Sequence, residues 1–164
     1  MQENRTAEGG AVVNLTAEEK ALVAEEALSI IRSVGDVLER VDQTQVAEGY
    51  ADPEAELQRL DVAVRMLRAS RSGVLQVDEA TLAILKRGEH YAREEAEGFA
   101  TQLAKYDEQG AAGWTDETVR SRVTVSDMLA DNAASRECLA NNRREAELFA
   151  GIMARTAPSG RARP

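Results

Sequence analysis

An all-α fold, either an antiparallel four-helix bundle or extended helical hairpins with long, unequal helices, is predicted by three features of this sequence. Helix-start signals recur at four places, apolar residues follow a three-four spacing over long stretches, and only 4% of residues are aromatic and three are proline. A core poor in aromatics must be built from Leu, Ile, Val and Ala, which favours closely packed helices over a β-sandwich.

The four starts define the elements. In "LTAEEKAL" Thr16 stands three residues before Glu19, a capping box with Leu15 as its staple, and opens a helix expected over 16–47. Asp52 before Pro53 sets a cap with proline at the first helical position, for a helix over 53–71. Asp78 caps a third over 78–109, and Thr115, followed by two acids, a fourth over 116–155. Gly49, "SRSG" at 70–73 and "EQGAAG" at 108–113 mark the breaks. The stretch 73–77, "GVLQV", reads equally as an extended connector, and the alternation in "VRSRVTVSD" at 119–127 would let the fourth helix begin later. Domain organisation follows: a flexible N-terminal segment at 1–15, a single helical domain at 16–155 and a flexible basic tail at 156–164.

Spacing supports each helix. The first carries Ala24, Ala27, Ile31, Val34, Leu38 and Val41, widened by Val23, Leu28, Ile30 and Val37 into a face broader than a two-stranded seam. The second offers Leu57, Leu60, Val64 and Leu67; the third Leu82, Leu85, Glu89, Ala92, Ala96, Phe99, Leu103 and Tyr106; the fourth Val125, Met128, Asn132, Ser135, Leu139, Asn142, Ala146, Phe149 and Met153. At 1.5 Å per residue the first and third helices span roughly 45 to 50 Å, the second about 30 Å and the fourth about 60 Å. Unequal lengths leave apolar stripes without an internal neighbour, and a homo-oligomer, most simply a dimer, would supply one.

Charge excludes several partners. Of the 29 acidic residues, 13 fall in residues 1–60 against 5 basic ones, while residues 115–164 carry 7 and 8. A chain with net charge −9 lacks the basic footprint that nucleic acid or an anionic membrane requires, so neither is expected as a partner. The single cysteine, Cys138, allows no intramolecular disulfide and no multi-cysteine zinc site. "MQENRTAEGG" shows no signal-peptide pattern and no run of 18 apolar residues occurs, so a cytoplasmic protein is expected.

The search for chemistry centres on "LKRGEHYAREEAEGFA" at 85–100. His90, Glu94 and Glu97 share one helix face, opposite the Leu85, Ala92, Ala96 and Phe99 stripe, so they are expected to be solvated rather than to bind metal. The Glu-x-x-His pairs of a di-metal bundle are absent, since Arg87 stands three residues before the histidine. Glu89 differs: it falls on the apolar stripe and needs a partner, with Asn132, Asn142 or an arginine as candidates. Such a group either fixes register or lines a ligand site. No nucleophile-elbow, phosphate-loop or dinucleotide pattern occurs, and neither catalytic residues nor a cofactor are expected.

Arg122, Leu129, Arg136 and Arg143 stand every seven residues on the fourth helix, as do Glu18, Glu25, Arg32 and Glu39 on the first. Flanking charges in this pattern select a helical neighbour. The sequence therefore predicts a non-enzymatic interaction protein, an adaptor, chaperone-like or assembly component, with a protein partner and self-association. The alternative is a sensor holding a small molecule near Glu89, Asn132 and Asn142.

Overall fold

The structure, a computed structural model, describes residues 10–40, 52–109 and 125–156, with 105–109 and 125–131 described by backbone alone. Expectations for 41–47, Gly49, Thr115, 116–124 including Arg122, and the outer parts of both terminal segments lie outside the described residues. The chain is mostly helical: α1 is Ala17–Arg40, α2 Pro53–Ser72, α3 Glu79–Gln109 and α4 Val125–Ala154. A two-stranded sheet joins β1, Ala11–Asn14, to β2, Val74–Val77. The chain divides into two compact units, Met1–Lys86 with Leu148–Pro164, and Arg87–Glu147.

In the first unit, α1 begins with the capping box that its sequence announces. The Thr16 Oγ1 accepts from the Glu19 N–H at 3.3 Å, and Glu19 Oε2 accepts from the Thr16 N–H at 2.8 Å. Helix α2 starts where Asp52 Oδ1 accepts from the N–H groups of Glu54 and Ala55 at 3.1 and 3.2 Å, with Pro53 behind it. It ends at Gly73, whose φ of 82° is the left-handed cap that closes the helix through its N–H to the Ala69 carbonyl, 2.7 Å. That turn reverses the chain into β2.

The strands are where the structure departs most from the sequence reading. Within the 73–77 stretch Val74–Val77 is indeed extended, but residues 11–14, expected as part of a loose N-terminal segment, are strand β1. Its partner supplies the register: Ala11 pairs with Val77, Val12 with Gln76, Val13 with Leu75 and Asn14 with Val74, antiparallel. The Leu15 N–H continues the ladder to the Gly73 carbonyl at 2.8 Å. Alternation then decides which side chains go inward, so Val13, Leu75 and Val77 are buried while Val74 is exposed.

Helices α1 and α2 pack on one another, and the core of this unit joins Val23, Ala27, Ile30 and Val34 of α1 to Val62, Ala63, Met66 and Ala69 of α2. Val13, Leu75 and Val77 of the sheet, Leu85 of α3 and Phe149 and Ile152 of α4 complete it. Each fully buried Val, Leu, Ile, Met or Phe side chain among these contributes about 1.5–3 kcal/mol, and each alanine less. In the second unit Ala92, Ala96, Leu103 and Ala146 are buried, and the three alanines are small enough to permit close helix approach.

Candidate functional site

The polar positions singled out by sequence fall in the second unit, and the structure accounts for them one at a time. Glu89 is half-buried, not engulfed: its carboxylate takes two hydrogen bonds from Arg93, one turn along the same helix, at 2.9 and 2.6 Å. An arginine, one of the expected candidates, is therefore the partner, and it lies on Glu89's own helix rather than on the fourth. Asn142 is also satisfied within its helix, donating to the Cys138 carbonyl at 3.0 Å. Asn132 remains apart, because its Oδ1 is buried without a hydrogen-bond partner. No hydrogen bond brings these three together among the described residues. Arg136 and Arg143 are both exposed.

His90 lies on the wet side of α3, as its spacing predicts, with its side chain 72% exposed and its Nε2 3.3 Å from a Glu94 oxygen. Among the described residues no group of three or more His, Cys, Asp or Glu side chains is placed to hold a metal ion. A cavity in this unit is an open groove of about 480 Å³ lined by Arg93, Ala96, Glu97 and Ala100 of α3 and Arg143, Ala146 and Glu147 of α4. Its lining combines two arginines and two glutamates with three alanines. Such a lining gives neither the apolar enclosure nor the convergent polar groups of a small-molecule pocket.

Two charge clusters in the first unit were missed by the sequence reading. Glu19, only 5% exposed, uses its second oxygen to accept from Arg155 Nη2 at 2.5 Å. Arg155 also donates to the Asn14 carbonyl at 3.2 Å and the Gly151 carbonyl at 3.1 Å, so one guanidinium joins the end of α4 to β1 and the start of α1. The capping-box spacing explains one Glu19 oxygen; nothing local points to the partner of the other.

The second cluster sits at the start of α3. Asp78 Oδ1 accepts from the Thr81 N–H at 2.8 Å, and its other oxygen meets Arg65 Nη1 at 2.6 Å. Partial burial pushes the Asp78 carboxyl up, but the Thr81 N–H, the nearby Thr81 hydroxyl and Arg65 outweigh it, holding the group below its ordinary value of 3.8. A carboxyl whose pKa is depressed on folding stabilises the fold above its unfolded pKa, and that contribution is lost as pH falls through the folded value. In thermal melts below pH 4, Asp78→Asn should lose less stability per pH step than the parent, because asparagine keeps the cap without the titrating charge. Parallel acid limbs for the two proteins would remove Asp78 from the acid response.

The remaining feature is apolar. Leu28 and Leu38 of α1 and Leu57 of α2 are 45%, 37% and 49% exposed, and Tyr91 of α3 is 64% exposed. Leu28 and Leu38 lie on one side of α1 with Ala24, Ile31 and Gly35, roughly 100° round the helix from the Val23, Ala27, Ile30 and Val34 line that packs on α2. The broad apolar face seen in the sequence is thus divided: one edge is core and the other is surface. Also, among the described residues no helix is long and apolar enough to cross a membrane. Comparisons with protein-family models, with curated proteins and with solved structures find no match to this chain.

Proposed function

We propose that the chain is a non-enzymatic helical interaction protein, an adaptor, chaperone-like or assembly component of the cytoplasm, acting through exposed helix surface and self-association. Its four helices would run antiparallel as a bundle or as extended hairpins, with coiled-coil-like contacts to a second copy and a further protein as its partner. The observation that carries this reading is the outer apolar side of α1, where Leu28 and Leu38 stand exposed in line with Ile31. Large aliphatic side chains aligned on a solvated helix mark a surface that another helix covers.

Light scattering on the eluting peak of a size-exclusion column tests the reading across protein concentration. A mass that rises above the 17.8 kDa of one chain is the expected result. A mass fixed at that of one chain throughout ends the proposal as framed.

A small-molecule sensor is the second reading, and one observation favours it: the buried Asn132 Oδ1 with no partner. Glu89 and Asn142 support it less, since each has a partner on its own helix. A thermal-shift screen of metabolites addresses it directly, because a ligand held at Asn132 must raise the melting temperature. No shift across the screen counts against it.

A further inference from the structure

The outer side of α1 has an order that its burial does not explain. Ala21, Ala24, Leu28, Ile31, Gly35 and Leu38 recur at alternating steps of three and four. Ala21, Leu28, Gly35 and Leu38 are exposed, Ala24 and Ile31 half-buried with Ile31 also touching the core, and beyond its own turn of helix no described atom lies within 4 Å of where a Cβ on Gly35 would stand. Read backwards, the row has the same steps about a midpoint between Ser29 and Ile30. A two-fold axis through that midpoint sets α1 against a second α1 running the other way. Leu28 then meets Ile31, Ala24 meets Gly35 and Ala21 meets Leu38, and small residues opposite one another let the two backbones close on the larger pair.

The flanking charges choose the same arrangement. Glu25 and Arg32 lie on one flank of the row, both exposed; Arg32 donates its Nε–H to the Leu28 carbonyl at 3.3 Å, and Glu25 has no ion pair among the described residues. In the antiparallel pair Glu25 of one copy faces Arg32 of the other, and symmetry makes the contact twice. A parallel pair would put Ala27 where Arg32 needs an acid, and would stack Gly35 on Gly35 between the Ile31 and Leu38 layers. At the outer ends Glu18 falls opposite Glu39, a like-charge contact weakened by solvent.

We propose that the outer side of α1 is a self-association surface on which a second copy of this chain docks its own α1 antiparallel, with Glu25 and Arg32 pairing across the two-fold axis. The inference rests on the interaction reading above and names its partner and register. Charge reversal tests it without disturbing the core, since Glu25, Arg32 and Glu39 are exposed. Glu25→Arg and Arg32→Glu alone should each weaken self-association roughly tenfold, the effect of about 1.4 kcal/mol lost over two contacts. The double reversal should restore it, an equimolar mixture of the two single variants should form a mixed dimer in preference to either alone, and Glu39→Lys should tighten the parent dimer. Circular dichroism verifies that each variant is as helical as the parent.

The outcomes separate. A parent chain that is monomeric at every concentration overturns both this inference and the interaction reading. A parent that self-associates with an affinity unchanged by either single reversal leaves the interaction reading standing and overturns this surface. Single variants that weaken but do not recover on mixing overturn the antiparallel register.

Discussion

Replacing Phe149 with alanine is expected to destabilise the protein by about 3–5 kcal/mol, the range for emptying a buried aromatic site whose surroundings only partly collapse. Phe149 is 2% exposed and belongs to the core built on α1, α2 and the sheet, although it arrives from the far end of the sequence. Urea denaturation followed by circular dichroism reads the change as a lower midpoint. Leu57→Ala provides the contrast, since Leu57 is 49% exposed on α2 and a surface truncation usually shifts stability by less than about 0.5 kcal/mol. A Phe149 variant as stable as the Leu57 variant would show that the end of α4 is not seated in this core.

Arg155→Ala should give the second large effect, about 2–4 kcal/mol, because it strands a carboxylate that has left water. Glu19 is 5% exposed; with Arg155 gone it retains the Thr16 N–H but no positive charge. Two companions locate the cause. Glu19→Gln keeps an oxygen for Thr16 and leaves the half-exposed Arg155 to water, so its loss should be smaller. Replacing both Glu19 and Arg155 with leucine should recover much of the deficit, as buried ion pairs often contribute no more than apolar packing of similar volume. Chemical denaturation of the four proteins measures the coupling, and an Arg155→Ala loss below that of Glu19→Gln would contradict this account.

Both effects belong to contacts that span the sequence, and that separates what was legible from what was not. The Thr16 and Glu19 capping box, Asp52 ahead of Pro53, Asp78 at the head of α3 and Gly73 at the end of α2 are settled within a few residues, so local spacing finds them. His90 on the solvated side of α3 follows from the same periodicity. Strand β1 is different: four residues without a turn of their own become a strand because Val74–Val77 is there to pair with. Glu19 illustrates the limit within one side chain, where one oxygen serves a residue three positions away and the other a residue 136 positions away.

Glu89 shows a rhythm outweighed by a neighbour. Its place between Leu85 and Ala92 puts it on the core stripe, yet Arg93 folds back over it, so a salt link on one helix replaces the register-setting contact the pattern suggests. On α1 the error is one of centring. The sequence makes Ala24, Ile31 and Leu38 part of the buried line, but α2 covers the side bearing Val23, Ile30 and Val34, and Leu38 stays 37% exposed.

The Arg155 clasp also bears on the order in which the chain acquires its structure. Synthesis proceeds from β1 onward, so α1, α2 and β2 emerge early with their cap, turn and strand pairing available. Phe149, Ile152 and Arg155 emerge late, and until then the early segment has an unfilled core and an uncompensated Glu19. Vectorial emergence therefore leaves β1, α1, α2 and β2 waiting, partly assembled and with apolar surface open, for a segment made more than 70 residues later. Their stability is conferred by a helix that appears after all of them.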